Sequence, residues 1–264
     1  MRMRYLDDIT AAALRRTAEH EKLVPFEEMR ARALGSKGDH AFARSLEKEG
    51  LSFICEIKRA SPSKGMIAED FRPSDIADEY AAAGADAISV LTEPTRFLGS
   101  DELLSAVAGR VGVPVLRKDF VVSPYMVYEA RVLGASAVLL ICEVLGDGLA
   151  DCLAAAEECG LDALVEAHCE DEVKRAVRSG ARIVGVNNRD LRTFGVDLSV
   201  AVRMRGLVPD DRLFVAESGI KTAADVLRMA AAGADAVLIG ETLMRSADKR
   251  AALAELKSAL WKDD

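Results

Sequence analysis

The chain has 264 residues, 50% of them apolar and 30% charged, a length that suits one α/β barrel domain with a sizeable core. Its formal net charge of −8 and the lack of any basic run exclude a field that gathers polyanions, so no nucleic-acid partner is expected. The longest apolar stretch, Ala137 to Cys142, is far too short for a membrane span, and Met1-Arg2-Met3-Arg4 leads into Asp7-Asp8 without an apolar signal region, so a cytoplasmic protein with no membrane partner is expected.

Helical patterns near Tyr5–Lys22 and Phe26–Leu34, followed by a Gly-Ser-Lys-Gly break at Gly35–Gly38, open the chain. Residues 1–45 are expected to form a helical extension that packs over one end of a catalytic domain comprising residues 46–264. Apolar runs rich in β-branched residues then follow at Leu51–Lys58, Ala85–Thr92, Pro114–Lys118, Ala137–Cys142, Ala163–Ala167, Ile183–Asn187, Leu213–Ser218 and Ala236–Gly240. Helical patterns such as Ser74–Ala83, Pro124–Leu133, Glu170–Ser179 and Thr222–Ala232 lie between them. The segments Ala82-Ala83-Gly84-Ala85-Asp86-Ala87-Ile88 and Ala231-Ala232-Gly233-Ala234-Asp235-Ala236-Val237 nearly repeat one another. In each, a glycine placed to cap a helix precedes a strand buried on both faces, which makes the repeat a βα unit. Eight such units predict a parallel (β/α)8 TIM barrel. An open doubly wound sheet is the alternative, though no G-x-G-x-x-G follows the first strand. Five cysteines without a C-x-x-C pair and three scattered histidines suggest reduced thiols and no metal site.

Barrel enzymes place their chemistry where strands end, and the polar residues of this chain gather there. The first strand ends Glu56-Ile57-Lys58, where the two-residue period puts Glu56 and Lys58 on one side and Cys55 and Ile57 on the other. Lys118, Glu166, Asn187 with Arg189, and Glu217 with Ser218 end four further strands. One such residue reads equally well as a solvated loop charge; five strand ends together imply a site in which carboxylates and cations shift one another's pKa values and transfer protons. Ser218-Gly219 and Gly240-Glu241 follow the last two strands, where barrels seat a phosphate on free backbone N–H groups. Glu241 is expected to turn its backbone, not its carboxylate, to a dianion. His168 follows Glu166 at the period-two position, which would turn it inward, but with no second ligand nearby it reads as a hydrogen-bonded loop residue. Cys152 and Cys159 read as packing.

Glu56-Ile57-Lys58-Arg59-Ala60-Ser61-Pro62-Ser63-Lys64-Gly65 closely resembles the first-strand signature of indole-3-glycerol phosphate synthases. The resemblance continues through Leu91-Thr92-Glu93, Phe97-Leu98-Gly99-Ser100, Arg117-Lys118-Asp119-Phe120, Leu164-Val165-Glu166, Val186-Asn187-Asn188-Arg189-Asp190-Leu191, Ala216-Glu217-Ser218-Gly219-Ile220 and Ile239-Gly240-Glu241. It implies closure of an indole ring on 1-(2-carboxyphenylamino)-1-deoxyribulose 5-phosphate, with loss of carbon dioxide and water and without a cofactor. It assigns the general acid to Lys118 and a later base to Glu166 or Glu56. Lys58 would meet the substrate's negative groups or protonate the leaving hydroxyl; Asn187 and Arg189 would orient the substrate; Glu217 would hold the lysines; Ser61 and Ser218 would donate hydrogen bonds. Pro62-Ser63-Lys64-Gly65 reads as a mobile lid. Phe97 and Phe120 either stack on the anthranilate ring or pack in the core.

Two rivals stand beside this reading. A phosphoribosyl-anthranilate isomerase, or another phosphosugar barrel, would share the phosphate seat; that isomerase uses a cysteine with an aspartate partner, and Cys55 points away from the side shared by Glu56 and Lys58. A silent phosphate-binding barrel would keep the glycines and lose the acid–base set. The sequence assigns no oligomeric state and no association with other enzymes of the tryptophan pathway.

Overall fold

The computed structural model describes residues 4–35, 38–258 and 260. Met1 to Met3 and the Ser36-Lys37 centre of the expected helix break lie outside them. Eight parallel strands close into a barrel, β1 (Ser52–Ile57), β2 (Ala87–Leu91), β3 (Val115–Lys118), β4 (Ala137–Ile141), β5 (Asp162–Ala167), β6 (Ile183–Asn187), β7 (Leu213–Glu217) and β8 (Ala236–Ile239). Each pairs with its neighbours in chain order, and β1 pairs with both β2 and β8. The fold is therefore the TIM barrel that the eight apolar runs suggest, and the open sheet is ruled out.

Helices α1 (Arg4–Leu23), α2 (Phe26–Leu34) and α3 (Ala41–Leu46) precede β1. The outer ring contains α4 (Pro73–Ala82), α5 (Asp101–Ala108), α6 (Pro124–Val132), the short α7 (Cys142–Leu145), α8 (Leu149–Glu158), α9 (Glu170–Arg178), α10 (Ser199–Met204), α11 (Ala223–Ala231), α12 (Glu241–Arg245) and α13 (Lys249–Ser258). Gly84 and Gly233, the repeated glycines, adopt φ of +78° and +84°, the left-handed turn that lets each helix stop and the next strand begin. Among the described residues no helix is long and apolar enough to cross a membrane.

Strand alternation sorts the core into two parts. Outward residues such as Phe53, Cys55, Ile57, Val138, Leu140, Val165 and Val184 pack under the helices. Inward residues Ile54, Leu116, Leu139, Leu164, Ile183, Val215 and Leu238 fill the barrel. The inward positions at the strands' C-terminal ends are instead Glu56, Lys118, Glu166, Asn187 and Glu217, so the barrel's top layer is charged where its lower layers are aliphatic.

The extension covers both ends of the barrel, not one. At the N-terminal end Phe42, Ala43 and Leu46 of α3 join the inner core, and the Asp162 carboxylate at the start of β5 accepts the Ala43 backbone N–H at 2.7 Å and lies 3.1 Å from His40 Nδ1. At the C-terminal end Ile9 and Ala13 of α1 join the same core near Phe120, and Arg16 donates to Asp119 at 2.6 Å. The chain passes from one end to the other through α2, and the boundary expected at residues 45/46 falls in the last turn of α3.

Candidate active site

One cavity of about 580 Å³ opens at the C-terminal end of the barrel, and all fourteen residues singled out from the sequence line it: Glu56, Lys58, Ser61, Phe97, Lys118, Phe120, Glu166, Asn187, Arg189, Glu217, Ser218, Gly219, Gly240 and Glu241. Its volume suits a drug-sized ligand. Register brings the charges together: Glu166 lies beside Gly185, Asn187 beside Glu217, and Glu217 beside Leu238.

Lys118 sits between two carboxylates, with Nζ 3.0 Å from Glu166 Oε2 and 3.4 Å from Glu217 Oε2. Across the cavity Lys58 Nζ pairs with Glu56 Oε1 at 2.5 Å. Two glycines make room for this layer. A Cβ on Gly185 would stand 2.3 Å from Glu217 Oε1, and one on Gly240 would stand 2.1 Å from Glu56 Oε1 and 2.8 Å from Lys58 Nζ.

The surroundings drive these groups apart in proton affinity. Burial disfavours the charge on Lys118, but Glu166, Glu217 and Glu56 outweigh it and hold the ammonium well above the ordinary lysine range. Burial likewise opposes ionisation of Glu166, yet Lys118 and His168 prevail and keep it below the usual carboxylate range. For Glu217 burial dominates; Lys118 offsets it only in part, Glu166 adds to it, and the carboxyl is pushed up to about 8. Among the described residues, neither Glu217 oxygen has a hydrogen-bond partner. The arrangement brings together a lysine held toward its charged form, a carboxylate held toward ionisation and a carboxyl held toward its protonated form, the opposed proton affinities that general acid–base chemistry requires.

The loops that complete the site are built locally. The buried Glu93 carboxylate accepts the backbone N–H groups of Thr95, Arg96 and Phe97 at 2.8, 2.7 and 3.0 Å, turning the loop after β2 so that Phe97 faces the cavity. Phe97 and Phe120 lie 6.3 Å apart between ring centroids, tilted by 39°, and both line the cavity while touching the inner core. After β6, Asn187 Oδ1 accepts the Arg189 N–H at 3.0 Å. Asn188 bridges the next loop by donating to the Ser218 carbonyl at 3.2 Å. Ser218 and Gly219 have φ of +66° and +87°. A non-glycine residue in that region is unusual and marks a backbone held for a purpose by its surroundings.

The segment after β1 forms a short hairpin, with Ala60 paired to Met66 and Ser61 to Gly65. It meets the opposite rim through Lys64 and Glu241 at 3.7 Å and through Arg189 Nη1 and Ser63 Oγ at 3.4 Å. The Glu241 carboxylate is held among Lys64, Arg189 and Arg245 at 3.7, 3.8 and 3.3 Å.

Sequence reasoning missed Tyr5, which enters the cavity from α1 and packs edge-on against Phe194 at 5.3 Å. No strand-end pattern points to a residue 113 positions before Lys118 in a helix of ordinary composition. His168 is indeed a loop residue, but its ring lies 3.2 Å from Glu166 Oε1. Cys55 faces the helices, and burial raises its thiol far from nucleophilic use, which removes the cysteine-based isomerase. Cys152 and Cys159 are buried, free and packed in the outer core.

A closed parallel barrel with a charged layer around a cavity at the C-terminal ends of its strands has the architecture of the barrel enzymes. Comparison with known proteins makes the assignment specific. The chain belongs to the indole-3-glycerol phosphate synthase family, whose model matches residues 6–256. It is 52% identical to an indole-3-glycerol phosphate synthase of Ruminiclostridium cellulolyticum over 96% of this chain and 99% of the relative. An enzyme of the same description from Lachnoclostridium phytofermentans is 51% identical over 85% of this chain and 83% of the relative. A crystal structure of 3-hexulose-6-phosphate synthase superposes with a TM-score of 0.63 over 79% of this chain and 99% of that one at 19% identity, a likeness of fold alone.

Proposed function

We propose that residues 46–264 are a catalytic barrel, extended by residues 1–45, that converts 1-(2-carboxyphenylamino)-1-deoxyribulose 5-phosphate to indole-3-glycerol phosphate. The observation that carries the assignment of roles is the single buried lysine shared between two carboxylates, 3.0 Å from Glu166 and 3.4 Å from Glu217. Lys118, kept charged by Glu166, Glu217 and Glu56, donates its proton to the ketone oxygen as the carboxyl-bearing aryl carbon attacks the carbonyl carbon. The new carbon–carbon bond leaves a cationic ring, which regains neutrality when carbon dioxide departs with its bonding pair left in the ring. The hydroxyl then leaves as water with a proton from Lys58, and a carboxylate removes the last proton to close the aromatic pyrrole. Glu166 suits that task because Lys118 and His168 favour its ionised form; Glu217, whose burial favours the protonated form, suits a hydrogen-bond donor that orients substrate oxygens. Glu56 fixes Lys58 from its own strand.

Phe97 and Phe120 form the apolar wall for the anthranilate ring. The phosphate sits at the Ser218-Gly219 and Gly240-Glu241 turns, where left-handed backbone and the start of α12 present N–H groups, with Arg189 and Lys64 nearby. Ser61 and Asn187 supply the remaining polar contacts. A small phosphorylated metabolite, a cytoplasmic setting and no nucleic-acid partner belong to the same reading; the acidic net charge and five free cysteines support it.

The test is a continuous assay for indole fluorescence on this substrate, with Lys118→Met alongside. Turnover by the wild type and a loss of at least ~100-fold in the variant are expected, the scale of a lost general acid. Turnover that survives in the variant moves the acid to Lys58. A folded wild type with no turnover favours a barrel that only binds phosphate.

A further inference from the structure

The two carboxylates that share Lys118 differ in what stands behind them. Among the described residues, Glu217 has only Lys118 within ion-pair distance. Glu166 has His168 at its back: the imidazole lies outside the cavity, in a neighbouring polar cleft, with Nε2 3.2 Å from Glu166 Oε1 and Nδ1 3.5 Å from Glu172 Oε2. These contacts are ionic, since among the described residues neither ring nitrogen finds a partner in hydrogen-bond geometry. Glu172, on α9, also accepts the His168 backbone N–H at 2.7 Å, so the ring is placed through its main chain as well. The other Glu166 oxygen faces Lys118 at 3.0 Å. Glu172, His168, Glu166 and Lys118 therefore form a line of alternating charge running from α9 through the end of β5 into the active site.

The remaining charged groups around that cleft are engaged elsewhere. Glu143 of α7 pairs with Arg192 at 3.3 Å. Asp190 accepts the Arg192 and Thr193 N–H groups at 2.6 and 3.0 Å. Asp197 accepts from Ser199, Arg189 faces Glu241 at 3.8 Å, and Arg175 of α9 donates to the Cys142 carbonyl at 3.3 Å. Cys142 itself is a buried thiol held neutral by burial. Among the described residues, Glu166 and Glu172 are the carboxylates that set the charge of the imidazole.

We propose that His168 is a positioning residue: as an imidazolium it keeps Glu166 ionised and aimed at Lys118, and so decides which of the two carboxylates on that lysine is free to accept a proton. The inference rests on the roles given above to Lys118 and Glu166. Burial opposes the charge on His168, but Glu166 and Glu172 outweigh it and raise the group to about 10, so it is charged at neutral pH. An opposite charge this close lowers a carboxyl pKa by roughly one to three units.

His168→Gln keeps a donor in the ring's place without its charge, and His168→Ala removes both. Two readouts separate positioning from packing. One is the carboxyl titration of glutamate side chains by ¹³C NMR in the free protein, which needs no turnover. The other is the pH dependence of kcat/KM, in which the substrate's own ionisations are common to all variants and cancel. In both variants the Glu166 titration and the acid limb of kcat/KM should rise by about one pH unit or more. Glu172→Gln, which leaves the imidazole in place, should move both the same way by less. Loss of thermal stability and of kcat with the Glu166 titration unmoved would overturn the proposal and leave His168 a packing residue. A Glu166 titration that rises in variants of a chain with no turnover on the substrate would keep the coupling and remove the assigned reaction.

Discussion

Arg117 and Lys118 are adjacent on β3, point to opposite faces of the barrel wall, and each lies in a buried cluster of opposite charges. Arg117 is fully buried beneath the helices, and every guanidinium nitrogen is occupied: Nε by Thr92 at 3.4 Å, Nη1 by the Met126 carbonyl and Glu129 at 3.2 and 2.8 Å, Nη2 by Asp101 at 2.8 Å. The acids are completed in turn by α1, where Arg16 reaches Asp119 and His20 reaches Glu129, both at 2.6 Å. The Lys118 cluster is the opposite case. Two buried carboxyl groups share the one lysine, and among the described residues Glu217 has no hydrogen-bond partner. A saturated buried network is framework, here the clasp that seats α1 on the rim. An unsaturated one leaves polar sites for a ligand to complete.

The contrast can be broken most strongly on the cavity side. Glu166→Gln removes the ionised partner of Lys118 and should lower kcat by about 10²- to 10⁴-fold, while the urea midpoint stays close to that of the wild type. Equal losses in both would mean that this cluster, too, is framework. Gly185→Ala tests the same side without touching a charge: the new Cβ would meet Glu217 Oε1 at 2.3 Å, so the carboxylate must swing. A fall of about tenfold in kcat is expected from such a small misplacement, and Glu217→Gln made on top of it should cost less than it does alone. Additive losses would mean that the glycine acts elsewhere.

On the framework side, Asp162→Ala strips α3 of its anchor to the N-terminal end of the barrel, leaving the Ala43 N–H unpartnered. Denaturant unfolding should show a loss of about 1–3 kcal/mol with kcat unchanged; reduced kcat would link the far end of the barrel to the chemistry. The smallest effect is on pH. The folded pKa of His168 is raised to about 10 from an unfolded value near 6.5. Its stabilisation is complete below the unfolded value and is lost as pH rises through the folded one, so the urea midpoint should fall between those limits. The fall should be shallower in His168→Gln, and identical slopes would deny the imidazole its charge.

Much of this was legible in the sequence because barrel strands alternate. Once eight apolar runs are counted, a charge at an inward strand end has only the rim to occupy, and Glu56, Lys118, Glu166, Asn187 and Glu217 are all found there. What alternation cannot carry is contact between residues remote in the chain. Tyr5 enters the site, and α1 and α3 cap opposite ends of the barrel, through packing that leaves no periodic trace. His168 showed neither its direction nor its partner: the two-residue period suggests an inward ring, but the residue lies past the end of β5 and its ring turns into the neighbouring cleft, because a loop after a strand has no fixed register with the helix that follows. Arg117 stands in a motif that the family resemblance picks out, and its outward direction follows from the same alternation. The acids that meet it come from two helices and the strand's own end, and one sequence does not pair them.

The central claim, that two adjacent cations serve stability and chemistry separately, is tested most directly by measuring unfolding free energy and kcat side by side for Arg117→Met and Lys118→Met. The first should lose about 3–5 kcal/mol, the cost of unpairing a buried ion cluster, and keep most of its kcat in whatever fraction remains folded. The second should unfold close to the wild-type midpoint and lose at least ~100-fold in kcat. Both variants losing stability and kcat in the same proportion would contradict the separation.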